Sequence, residues 1–96
     1  MDQTAVSEPY YVYLSGCANG TLYVGSTRNV EQRVAAHNAG RGGRYTHANR
    51  PISLIAAWPF NSQAEALRAE RVLKRLPHER KLALVESATL LRGSDV

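Results

Sequence analysis

The sequence predicts a small α+β domain in which three strands form a sheet flanked by helices, in the order β-β-α-β-α-α. Three observations carry that expectation. Two runs rich in aromatic and β-branched residues stand on either side of Gly16 and Asn19-Gly20, the pattern of a hairpin. Two later segments open with capping residues and repeat apolar side chains at helical spacing. An apolar run from Ile52 to Trp58 lies between those two segments, and a sheet covered by helices is a stable way to combine such pieces.

Residues 1–9 have no period and end at Pro9, so they read as a flexible lead-in. In the first strand, Tyr10 to Ser15, alternation places Tyr11 and Tyr13 on one face and Val12 and Leu14 on the other. The second strand, Thr21 to Gly25, sends Tyr23 away from Leu22 and Val24. A hairpin makes this pair antiparallel, but two registers are open. A two-residue Asn19-Gly20 turn sets Tyr23 opposite Gly16, and a longer loop centred near Ala18 sets it opposite Tyr13.

Asn29 caps the next helix, with Gln32 reaching back, and Gly40 stops it after Asn38. At about 100° per residue, Val30 and Val34 lie within about 40° of each other, with His37 about 20° and Arg33 about 60° to one side. Arg33 and His37 therefore share an edge of the buried stripe and, four residues apart, can meet. Gly40 to Arg50 is a basic loop without period, and Ile52 to Trp58 is a third strand ended by Pro59. Ser62 and Glu65 cap a helix running to about Leu76, and Pro77 starts a short helix to about Glu86. Residues 87–96 show no pattern and are expected to fray, which leaves 10–86 as one domain.

A chain of 96 residues with 44% hydrophobic content suits a single core. No apolar run approaches the ~18 residues of a membrane span, and the polar, acidic start lacks a signal peptide's pattern, so the expectation is a soluble, cytoplasmic protein away from membranes. Cys17 is the only cysteine, which excludes an internal disulfide and a cysteine-based zinc site, and it reads as a bystander thiol. His47 and His78 have no metal-ligand spacing and read as solvent histidines.

The net charge of +4 hides an asymmetry. From Arg28 to Lys81 there are eleven Lys or Arg against four Glu, a balance of +7, whereas the flanks together carry −3. Ten of the twelve basic residues are Arg, which suits bidentate contact with phosphate. Nucleic acid is the favoured partner, against the plain alternative of a solvated basic surface.

Glu70 is the most informative residue of the second half. On a helical wheel Val72, Leu76, Ala69 and Leu73 fill one sector, Leu67 lies on the other side, and Glu70 falls between these apolar flanks. An ionised carboxylate there needs a cation, a metal or hydrogen-bond donors, and an internal ion pair with a neighbouring Arg is the bland solution. Arg68, Arg71 and Arg75 form a separate basic face.

Taken together, Tyr11-Val12-Tyr13-Leu14, Leu22 to Thr27, Arg33, His37, the loop from Gly40 to Thr46 and Ala66 to Glu70 resemble the GIY-YIG nuclease superfamily. More narrowly, the chain resembles its small single-domain, UPF0213-like branch, from about Tyr10 to about Val85. The resemblance implies a small three-stranded antiparallel sheet flanked by helices, with the first strand in the middle. It implies catalytic roles for Tyr13, Tyr23, Arg33, His37 and Glu70, and a motif glycine at Gly25. It also implies that Glu70 binds one divalent ion, Mg²⁺ or Mn²⁺, and that the five side chains converge on one concave surface. Two departures stand out. The first motif begins with Tyr11 where the superfamily has glycine, and no match is found for the polar C-terminal residue of larger members.

The expected function is metal-dependent endonuclease cleavage of DNA, more than RNA, with little sequence specificity and by a monomer. Arg33 would contact the scissile phosphate, and Tyr13 or Tyr23 would take a proton from the attacking water, with His37 either receiving the phenolic proton or fixing a tyrosine. Arg28, Arg41, Arg44, Arg50, Arg68, Arg71 and Arg75 are the expected nucleic-acid contacts. The alternative is a non-catalytic nucleic-acid-binding module on the same scaffold.

Overall fold

The computed structural model describes residues 9–41 and 48–95, with side chains described as far as Glu86. The strands are β1 (Tyr10–Cys17), β2 (Leu22–Thr27) and β3 (Ile52–Phe60). The helices are α1 (Val30–Asn38), α2 (Gln63–Arg75) and α3 (His78–Asp95). The sheet runs β2-β1-β3 with both pairings antiparallel, so the first strand is central as the resemblance implied.

The hairpin adopts neither of the two expected registers. Cys17 N–H reaches the Thr21 carbonyl at 2.8 Å, leaving a three-residue loop, Ala18 to Gly20, and setting Tyr23 opposite Ser15. Gly20 closes the loop at φ 87°, a left-handed conformation that glycine adopts without strain. A long-range bond explains the choice of loop: Ala18 N–H donates to the Asn49 carbonyl at 2.9 Å, tying the turn to the segment before β3.

Alternation then divides the sheet. Val12, Leu14 and Val24 face α2 and make the core with Ala66 and Leu73, joined by half-buried Tyr10, Leu22, Trp58, Phe60, Ala69, Leu76 and Val85. Tyr11, Tyr13 and Ser15, paired with Thr27, Gly25 and Tyr23, occupy the other face, toward α1. The hairpin faces thus match the alternation read from sequence.

Element ends and side-chain burial on α2 differ from expectation. β3 continues through Pro59, opposite Tyr11, to Phe60. An edge strand accommodates proline where its missing N–H faces away from the neighbour. α3 extends past Glu86 to Asp95, because no proline interrupts the segment that follows. Val72, expected in the apolar stripe of α2, is 61% exposed and lines an open apolar groove of about 370 Å³ with Trp58, Phe60 and Leu84. Leu67 is exposed too, so Glu70 has a buried apolar flank on one side only.

The N-cap residues of α1 and α2 are those the sequence predicts. Asn29 Oδ1 accepts from Gln32 N–H at 3.0 Å, and Ser62 Oγ accepts from Glu65 N–H at 3.2 Å. Glu65 reaches back to Asn61 N–H, one residue before the cap. At the C-terminus of α1, Asn38 accepts from Ile52 N–H at 2.7 Å and donates to the Ile52 carbonyl at 3.0 Å, fixing the helix end to the start of β3.

Candidate active site

Gly25 decides where Tyr13 can lie. The two residues are paired across β1 and β2, and a Cβ at position 25 would stand 2.6 Å from the Tyr13 hydroxyl. With no side chain there, the phenol folds over edge strand β2. Tyr13 is 1% exposed, and its oxygen meets Nε2 of His37, 0% exposed, at 3.1 Å. Tyr23 completes the group, its ring edge-on to His37 at 5.3 Å between centroids and tilted against Tyr13 at 6.3 Å.

His37 is buried because α1 lays its last turn on this face of the sheet, whereas Val30 and Val34 of the same helix are only half-buried. One turn earlier Arg33 is exposed, and its guanidinium acts on the Tyr13 phenol, favouring the ionised form. The shared helix edge read from periodicity therefore becomes a shared partner. Tyr13 sits between an imidazole and a guanidinium.

These surroundings set the protonation states. Burial pushes the Tyr13 phenol up to about 12, helped by Tyr23 and by the Glu70 charge, while the Arg33 hydrogen bond and charge pull the other way. Burial also lowers the His37 pKa, and the Arg33 charge adds to that. At neutral pH the pair is an un-ionised phenol against a neutral imidazole.

Glu70 arrives from the opposite face. Its Oε1 accepts from Ser26 Oγ at 2.8 Å, and Ser26 is paired with Val12 on the α2 side of the sheet. Its Oε2 meets Lys74 Nζ at 2.9 Å, one helical turn on. Neighbouring residues Gly25 and Ser26 on the edge strand thus carry the two poles of the site, and the Glu70 charge reaches the Tyr13 phenol past that edge. Tyr13, Tyr23, Arg33 and His37 gather on one face, but Glu70 does not share it: the expected convergence of five side chains on one concave surface is corrected, because Ser26 holds the carboxylate on the α2 side of β2.

Ser26 and Lys74 were not among the sequence candidates. Both left a signal: Ser26 follows Gly25 on the Val24 side of the alternation, and Lys74 stands four residues after Glu70, the favoured helical Glu-to-Lys spacing. The bland alternative paired Glu70 with an arginine; the ion pair it makes is with Lys74. Arg68, Arg71 and Arg75 are exposed along α2, and Arg41 and Arg50 are exposed at the borders of the basic loop. Arg28 is exposed, with its guanidinium 5.8 Å from the Tyr10 ring centroid, a cation–π distance. Arg44 and His47 lie outside the described residues. Cys17 is buried beside the hairpin loop, and His78 is exposed at the start of α3.

Among the described residues no three His, Cys, Asp or Glu side chains assemble as a metal centre, and no helix is long and apolar enough to cross a membrane. A single carboxylate still fits a hard divalent ion that keeps its waters and takes phosphate oxygens as further ligands. Glu70 has the required character: its Oε1 is oriented by a hydroxyl, and its Oε2 already holds a positive group.

Comparison with known proteins bears on the sequence and the fold. Residues 9–82 match the GIY-YIG catalytic domain. A UPF0213 protein of Xanthomonas axonopodis pv. citri (strain 306) is 46% identical over 80 residues, covering 83% of this chain and 78% of that protein. A UPF0213 protein of Staphylococcus haemolyticus (strain JCSC1435) is 43% identical over 77 residues, covering 80% and 94%. The solution NMR structure of a UPF0213 protein from Bacillus halodurans superposes with a TM-score of 0.53 at 38% identity, covering 81% of this chain and 83% of that one. A solution NMR structure from E. faecalis gives a TM-score of 0.62 at 30% identity, covering 88% and 90%. A tyrosine folded over a motif glycine onto a helix histidine, within a sequence so matched, makes this chain a member of the GIY-YIG nuclease family, in its small single-domain UPF0213 branch.

Proposed function

We propose that the protein is a metal-dependent endonuclease of the cytoplasm that hydrolyses phosphodiester bonds in DNA as a monomer, with little sequence preference. The Tyr13 phenol carries this reading: it is bonded to buried His37 and feels the charges of Arg33 and Glu70. A buried tyrosine that only packs also needs one hydrogen-bond partner, which His37 supplies; the nearby Arg33 and Glu70 charges go beyond that need.

Glu70 would hold a Mg²⁺ or Mn²⁺ ion, which would supply charge neutralisation at the phosphate. The other steps belong to side chains. A phenol raised to about 12 is almost never a free phenolate at neutral pH, so Tyr13 acts as a base only if its own proton leaves as it takes one from water. His37 Nε2 is placed to receive that proton, and its lowered pKa keeps it neutral beforehand. This favours Tyr13 over Tyr23 as the base, with Tyr23 holding the imidazole ring edge. Arg33 moves from the phenol to the scissile phosphate, where a planar guanidinium matches two oxygens.

Purified protein should nick labelled DNA only after addition of Mg²⁺ or Mn²⁺, and Glu70→Ala and Arg33→Ala should abolish nicking while the circular dichroism spectrum stays that of the parent. Cleavage without metal, or equal cleavage by both variants, refutes the enzyme reading. One observation favours the rival, a non-catalytic nucleic-acid-binding module: both Glu70 oxygens are already engaged within the protein. That reading expects salt-sensitive DNA binding and no cleavage with any ion.

A further inference from the structure

The partners of Glu70 differ in kind. Ser26 is a short, part-buried side chain on a strand, and its hydroxyl donates to Oε1 at 2.8 Å. Lys74 is 56% exposed, whereas the carboxylate it meets is 15% exposed. One partner belongs to the sheet; the other reaches the carboxylate from solvent on a four-carbon stem. The Glu70–Lys74 pair has favourable helical spacing and orientation, but a half-exposed ion pair holds weakly and yields to a competing cation.

We propose that Lys74 is a resident cation that occupies Glu70 Oε2 until a divalent ion displaces it, with Ser26 holding Oε1 so that the carboxylate keeps its orientation through the exchange. The inference rests on the reading of Glu70 as the metal ligand. Lys74 keeps the half-buried carboxylate compensated when no metal is bound, and it lowers the apparent affinity for the ion by competing for the same oxygen. Ser26 and Lys74 are therefore positioning residues for Glu70.

The test is Mn²⁺ binding to the full chain without nucleic acid, following the free ion by electron paramagnetic resonance. Lys74→Gln is expected to bind Mn²⁺ about threefold tighter or more, Lys74→Arg to stay close to the parent, and Ser26→Ala to bind about threefold weaker. Glu70→Gln should lose the site. Thermal unfolding of each variant confirms that it is folded. If Glu70→Gln loses binding but Lys74→Gln binds as the parent does or more weakly, the competition is refuted and Glu70 remains the ligand. Unchanged affinity in Ser26→Ala refutes the orienting role. If parent and Glu70→Gln bind alike, the metal reading of Glu70 fails and this proposal falls with it.

Discussion

The Tyr13 hydroxyl and the His37 Nε2 atom stand 3.1 Å apart, both side chains buried, although 24 residues separate them in the chain. A buried polar group left without its partner costs about 1–3 kcal/mol, so the pair is mutually required even before any chemistry. Tyr13→Phe keeps the ring and removes the oxygen. It should lower stability by about 1–2 kcal/mol in a denaturant titration and lower the cleavage rate by about 10²-fold or more. Tyr23→Phe, which retains the edge contact with His37, should cost much less activity.

Opposite pKa displacements give the pair a signature in pH. His37 lies below its ordinary 6.5, so the unfolded chain binds a proton near that value that the folded chain refuses. Stability is full above pH 6.5 and falls as pH drops through that value toward the folded pKa. Tyr13 is raised from 10.0 to about 12, so the folded chain retains a proton that the unfolded chain releases. That contribution is intact below pH 10 and is lost as pH rises toward 12. In thermal unfolding against pH, the parent should lose stability on both sides, His37→Phe should flatten the acid limb and Tyr13→Phe the alkaline one.

Gly25→Ala tests whether the phenol needs the missing side chain. A Cβ there would approach the Tyr13 ring and oxygen to within 2.8 Å, so either the ring or the strand must shift. The expected cost is about 1–3 kcal/mol of stability, with a changed His37 ring resonance in NMR and loss of cleavage. An unperturbed His37 signal would mean that the space is not what holds Tyr13.

The exposed arginines along α2 should act through phosphate alone. Affinity for DNA should fall steeply with salt, and replacing Arg68, Arg71 or Arg75 by Ala should each reduce the slope of log affinity against log salt by roughly one, uniformly across sequences. A salt-independent affinity would remove nucleic acid as the partner.

Local chemistry made the strand faces, the caps and the Arg33–His37 edge legible in advance, because each depends on residues within a turn or two of one another. The hairpin register escaped, since Asn19-Gly20 by itself favours a two-residue turn, and it is Asn49, thirty positions away, whose carbonyl holds Ala18. Val72 escaped for a related reason: a wheel shows which residues share a sector, and only the placement of α3 decides whether that sector is covered. The candidate residues were readable as types, but their arrangement on both sides of β2 was not. That arrangement depends on Gly25 and Ser26 being neighbours, so that one leaves space for a phenol while the other meets a carboxylate on the opposite face.

The carboxamide of Asn38, described above as the tie between α1 and β3, also changes how the sheet meets other molecules. A strand at the margin of a sheet offers its backbone as a template for a strand of another chain. At Ile52 both backbone groups are already taken by Asn38, and near the other end Pro59 has no N–H to offer. β3 is therefore blunted at both ends against edge-to-edge association, and Asn38→Ala should raise the tendency to aggregate as well as loosening the helix.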